Sequence, residues 1–167
     1  MTFVLASCSS VANEQSSLAS GWDPLADWAV QPGFSINVDS RGYHFPTSIA
    51  FVPNPGSDPK DPLYFVTELR GTIKVVTNDR SVLIFSDDIP ALDPIQELPH
   101  ATATNGLAGI CLAPDQGYVF VTYTFEKNSA LHNSIIRYQT KLHTLSVTST
   151  SQIEFDDIFA DDVSGSS

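Results

Sequence analysis

Apolar and polar residues alternate along most of this chain, and the alternation comes in short runs separated by turn-forming residues. Phe34-Ser-Ile-Asn-Val38 alternates strictly, as a strand with one buried face does. Further on, the pattern predicts strands over Thr47 to Val52, Leu63 to Glu68, Thr72 to Thr77 and Val82 to Ser86, divided by Pro55-Gly56, Arg70-Gly71 and Asn78-Asp79. A second set follows over Ala108 to Leu112, Tyr118 to Phe125, Ser134 to Gln139 and Leu145 to Thr150, with a continuation toward Phe155. The apolar members are mostly Val, Ile, Phe and Tyr, which suit a pleated, half-buried surface. An all-β protein is expected.

The two sets echo one another. Ser48-Ile-Ala-Phe-Val-Pro-Asn54 corresponds to Gly109-Ile-Cys-Leu-Ala-Pro-Asp115, Phe65-Val-Thr67 to Phe120-Val-Thr122, and Ile73-Lys-Val-Val76 to Ile135-Ile-Arg-Tyr138. Connections such as Pro55 to Asp61 and Glu126 to Asn133 absorb the differences in length. A four-stranded up-and-down unit recurring at roughly sixty residues is the mark of a β-propeller, whose blades stack around a central axis. Two meanders packed as a sandwich are the other arrangement, but sandwiches use Greek-key crossings and have no reason to repeat sequence. The expectation is a β-propeller fragment of about two four-stranded antiparallel blades.

Composition narrows the function classes. With 8 basic against 19 acidic residues and a net charge of -11, the chain has no cluster of Lys and Arg to meet a phosphate backbone, so nucleic acid is not an expected partner. Asp156-Asp157 and Asp161-Asp162 lack the spacing of a cation-binding loop and read as a solvated face. Trp22 and Trp28 lie close together ahead of the β region and are expected to form a flap over a sheet.

The two cysteines have different settings. Cys111 alternates within an apolar strand and is expected to be a small buried side chain. Cys8 follows Leu5-Ala-Ser7, and that run resembles the lipobox of bacterial lipoproteins, where the cysteine becomes a diacylated N-terminus. Residues 1–20 are therefore expected to be a truncated lipoprotein-type signal and a Ser-rich tether that does not pack, and residues 21–167 the propeller blades. A lipid anchor at Cys8 places the protein outside the bacterial cytoplasm, attached to a membrane.

Three segments carry a family resemblance: Pro46-Thr-Ser-Ile-Ala-Phe-Val-Pro53, Leu63 through Val76 with its Glu68-Leu-Arg-Gly71 turn, and Asn105-Gly-Leu-Ala-Gly-Ile-Cys-Leu-Ala-Pro-Asp115. Over roughly residues 34 to 155 the chain resembles the opening blades of the glucose/sorbosone dehydrogenase family, which are six-bladed propellers. The resemblance implies pyrroloquinoline quinone and calcium in a full-length parent, and oxidation of the anomeric carbon of a small sugar by hydride transfer to the quinone. It also implies that the catalytic His, the cofactor arginines and the calcium ligands stand beyond Ser167, so this chain alone is expected to be inactive and to bind neither group. Thr104 and Asn105 are the candidates for cofactor or substrate contact. Thr104 stands where sugar-oxidising members carry Gln or Glu, and Ala113 where they carry His before Pro-Asp. Those departures favour a second expectation, a non-catalytic cell-surface propeller that binds a protein or carbohydrate.

Other chemistry is sparse. His44, His100, His132 and His143 lack metal-ligand spacing and read as surface residues, with His44 and His100 the two placed to face a common channel. Glu68 and Arg70 flank a turn and are expected to pair with each other or with a neighbouring blade.

Overall fold

In the computed structural model of the protein, the residues described are 3–7, 30–92, 106–128 and 130–155. They divide into two compact units, residues 1–42 and 43–167.

The first unit holds a two-stranded antiparallel sheet of β1 (Phe3–Ser7) and β2 (Ser35–Ser40). The alternating run around Val38 thus forms the strand its pattern predicts. Phe3–Ser7, expected as unpacked tail, instead pairs its backbone with β2, from Phe3 opposite Ser40 to Ser7 opposite Ser35. An apolar extended segment satisfies its amides this way wherever a strand offers an open edge. Cys8, the Ser-rich stretch and both Trp residues lie outside the described residues.

The second unit contains the two expected meanders. Strands β3 (Pro46–Phe51), β4 (Pro62–Glu68), β5 (Ile73–Thr77) and β6 (Val82–Ser86) form one antiparallel sheet in sequence order. Strands β7 (Leu107–Ala113), β8 (Tyr118–Lys127), β9 (Ala130–Gln139) and β10 (Ser151–Phe155) form the other, also in sequence order. The echo between them holds at the level of register. Ser48 opposes Thr67 as Gly109 opposes Thr122, and Ile49 opposes Val66 as Ile110 opposes Val121. Each first strand even carries its irregularity at the same place, between Pro46 and Ser48 and between Leu107 and Gly109. The structure is a partial β-propeller of two four-stranded blades.

Two boundaries differ from the sequence pattern. The expected loop from Glu126 to Asn133 is strand: β8 and β9 run on in register to Lys127 opposite Ala130, and Asn128 takes the left-handed conformation (φ 54) that so tight a hairpin demands. Conversely, Leu145 to Thr150 is not a strand. His143 (φ 66) and Leu145 (φ 59) are left-handed, which breaks the extended backbone, and pairing with β9 begins only at Ser151.

The core lies between the two sheets. Phe65, Val75 and Phe85 of the first sheet meet Val119, Val121, Ile136 and Tyr138 of the second, all of them buried. Phe65 and Phe85 touch edge to face at 5.2 Å between centroids, and Phe85 continues the row to Tyr138 at 5.3 Å. Burying such a side chain contributes about 1.5–3 kcal/mol, and the Phe85–Tyr138 contact carries the row across from one sheet to the other. The Tyr138 hydroxyl shares a hydrogen bond of 3.0 Å with Ser86 Oγ, which keeps its polar tip satisfied, while burial pushes its phenol up to about 12.

The connection Pro53–Asp61 is tied to the β5–β6 turn. Asn78 Nδ2 donates to the carbonyl oxygens of Gly56 and Asp58, and Lys60 pairs with Asp79 at 2.5 Å. Beside Lys60, and accepting from Thr77, the Asp79 carboxyl is held well below the usual carboxylate range.

Candidate functional site

At one end of the two sheets, the connecting segments converge through backbone hydrogen bonds. Leu69 N–H donates to the Phe45 carbonyl (2.9 Å), Leu107 N–H to that of Leu69 (2.9 Å), Leu92 N–H to that of Thr124 (2.8 Å) and Thr124 N–H to that of Gly106 (2.9 Å). Two glycines make this approach feasible. Gly71 (φ 96) would place a Cβ 2.2 Å from the Ile89 oxygen, and Gly106 (φ 103) would place one 2.5 Å from the Leu69 oxygen. Only a residue without a Cβ fits either position.

A side-chain web lies just beneath. Thr47 Oγ1 donates to the Leu107 carbonyl at 2.7 Å and meets Thr67 Oγ1 at 2.9 Å. Thr47 is the residue of the β3 irregularity, so the bulge turns a hydroxyl toward the neighbouring sheet.

Glu68 pairs with Lys74. Its carboxylate is 2.7 Å from Lys74 Nζ and accepts the His44 backbone N–H at 2.8 Å, with both charged side chains largely buried. Lys74 Nζ also lies 5.7 Å from the centre of the Tyr43 ring. A signal for this pair existed in the sequence: Lys74 is the one charged residue in Ile73-Lys-Val-Val76, and it stands opposite Val66, two residues from Glu68 and on the same face of the sheet.

The exposed side chains at this end are fewer. Phe45 is 49 % exposed and sits at φ 50, a backbone conformation that a bulky residue adopts only when its surroundings impose it. The Arg70 guanidinium lies over the Phe45 ring, 5.2 Å from its centre. His44 is exposed next to them. Together they form an aromatic and cationic platform at the mouth of the converging segments. Thr104 and Asn105, the candidates for substrate or cofactor contact, lie outside the described residues, as does His100. His143 lies 3.6 Å from Asp115, and His132 lies against the Phe125 ring.

Cys111 is exposed, contrary to the burial expected of it. β7 alternates as its pattern predicts, but the face that carries Cys111 is turned away from the first sheet, and Ile110 and Leu112 point inward instead. Ala113 ends β7 at the opposite end of the sheets from the platform, beside the Pro114–Gln116 turn.

The sequence profile described as "Lactonase, 7-bladed beta-propeller" matches residues 45–159. The chain belongs to this family. Both meanders of this lactonase-family chain fall within the match, and the family description gives seven blades where the sequence resemblance implied six. Among solved structures it is similar to two glucose dehydrogenases, at 16 % identity with a TM-score of 0.48 and at 17 % with a TM-score of 0.44. Each is matched over 69 % of this chain, which spans only about a third of their length, 30 % and 33 % respectively. No curated protein sequence matches the chain significantly.

Calcium and a tricarboxylate quinone make specific demands on a site. Among the described residues no three His, Cys, Asp or Glu side chains come together, and Glu68, the carboxylate beside the platform, is committed to Lys74.

Proposed function

We propose that this chain supplies two blades, and part of the substrate-facing end, of a propeller enzyme that acts at the anomeric carbon of a small sugar. The observation that carries the reading is the Phe45–Arg70 platform. An exposed aromatic ring offers its face to the C–H groups of a sugar ring, and a guanidinium beside it donates to hydroxyl, carbonyl or carboxylate oxygens. Membership of a family described as lactonase supports ring opening of a sugar lactone, in which water adds at the carbonyl carbon and the ring C–O bond breaks. The motif segments around Glu68-Leu-Arg-Gly71 and Gly106-Leu-Ala-Gly109 support the oxidative counterpart. There, hydride leaves the anomeric carbon for a quinone, the hydroxyl proton goes to a base, and a lactone is the product. Both reactions take the same class of ligand. In the oxidative case pyrroloquinoline quinone and calcium are held by residues other than the described ones.

The two reactions separate in one assay. The full-length parent is supplied either with a sugar lactone in a pH-stat, or with the sugar, pyrroloquinoline quinone, calcium and a redox dye. Acid release supports lactone hydrolysis, and sugar-dependent dye reduction supports oxidation. Failure of both, with sugar binding retained by calorimetry, points to the non-catalytic reading, in which the same platform binds a carbohydrate or a protein at the cell surface. Export rests on Leu5-Ala-Ser-Cys8 alone: metabolic labelling with palmitate, lost in Cys8→Ser, is expected of a lipid-anchored protein, and an unlabelled wild type excludes the anchor.

A further inference from the structure

The register that relates the two sheets also relates their faces. Phe65, Ile73 and Val75 of the first sheet occupy the places of Phe120, Ile135 and Arg137 in the second. In the first sheet these three are fully buried, because the second sheet packs on them. Their counterparts in the second sheet are each partly exposed, with Cys111, Ile153 (46 %) and Phe155 (39 %) more open still. Arg137 is the outlier among these apolar positions. Its guanidinium lies 4.5 Å from the centre of the Tyr118 ring and 5.9 Å from that of Phe155.

We infer that this face is covered by a further blade of the same ring, and that the covering blade carries an Asp or Glu which meets Arg137. The first part extends the sheet-on-sheet interface already formed between the two blades, in a family described as having seven of them. The second part follows from charge. Covering the face takes Arg137 out of water, and of the groups that can meet a buried guanidinium beside its stacked rings, a carboxylate offsets the lost hydration best. A second copy of this chain is a poor occupant. Two-fold pairing of identical faces buries two Arg137 guanidinium groups in one interface among Phe120, Ile135, Ile153 and Phe155, which offer no carboxylate, and Tyr64, Val66 and Val76 on the other face of the first sheet are already fully buried.

Cys111 lies on the face and serves as a native reporter. In the protein purified at native length from its own cells, maleimide labelling of Cys111, followed by mass spectrometry, is expected to be at least about tenfold slower than in denatured protein, as for a group reached only by local opening. The 167-residue chain, expressed alone, is expected to label without that delay. A photo-crosslinker placed as Phe120→p-benzoylphenylalanine in the native-length protein is expected to capture, within the same polypeptide, a strand of alternating apolar residues bearing Asp or Glu. Fast labelling of the wild-type native-length protein, capture of the same face from a second copy, or capture of a strand without a carboxylate each overturns the inference. The labelling arm uses no variant, so a misfolded substitution does not decide the outcome.

Discussion

The Thr47 hydroxyl donates to the Leu107 carbonyl across 2.7 Å, linking the first strand of one sheet to the first strand of the next. Neither residue is part of the aromatic row at the core, yet the bond joins the sheets where their connecting segments converge. Thr47→Val keeps the shape and removes the donor, leaving the fully buried Leu107 with an unmet carbonyl. The variant is expected to lose about 1–3 kcal/mol in urea unfolding. A loss within error shows that solvent or a backbone shift satisfies that carbonyl instead.

Lys74→Met strands Glu68 as a buried carboxylate whose remaining described hydrogen bond is to the His44 amide. The expected cost is about 3–5 kcal/mol. Replacing both partners, as Glu68→Leu with Lys74→Met, is expected to recover most of it, because no charge is then left buried. If the single and double variants unfold at the same denaturant concentration, the pair is not an energetic unit.

Gly106→Ala is expected to be severe. The strained φ alone costs about 1–3 kcal/mol, and the new Cβ collides with backbone oxygens of Leu69 and Leu92, which have little room to move. Because Gly106 stands where the connecting segments of the two sheets meet, the melting temperature is expected to fall with the substitution.

Tyr138 makes a prediction in pH. Its phenol is raised to about 12 in the folded protein against an ordinary value near 10, chiefly by burial. The unfolded chain therefore loses this proton first. Stability is unaffected by the group below pH 10 and falls as pH rises from about 10 to about 12. Tyr138→Phe removes that contribution, so its unfolding midpoint is expected to decline less steeply over this window than that of the wild type. Equal slopes mean that the phenol ionises in the native state as readily as in the unfolded one.

How much was legible in the sequence follows from which forces act locally. Alternation and turn residues located nearly every strand of the two sheets, since both signals reside within a few residues of each other. The echo of Ser48–Asn54 in Gly109–Asp115 carried the pairing register as well. What failed was long-range. Whether Cys111 is buried depends on which face meets another sheet, which alternation does not state. The β8–β9 hairpin runs through polar residues because it is held by ladder hydrogen bonds rather than by an apolar face. Leu145 has the composition of a strand residue, but its buried position requires a left-handed backbone. At the candidate site, Phe45 looked like any residue before Pro46, and its stacking with Arg70 arises only when the β4–β5 turn folds back over the entry to β3.

The shared irregularity at the start of β3 and β7 has a bearing on how such a molecule tolerates change. It keys each blade to the end where Phe45, Arg70 and Gly106 gather, so the opposite end is left without a fixed length. Pro53–Asp61 and the short Pro114–Gly117 turn bridge equivalent strands with quite different amounts of chain, and the pairing above them is unaltered. That far end is where foreign peptides can be spliced in, while a single-residue deletion inside β3 or β7, past the bulge, would turn inward-facing side chains to the outside.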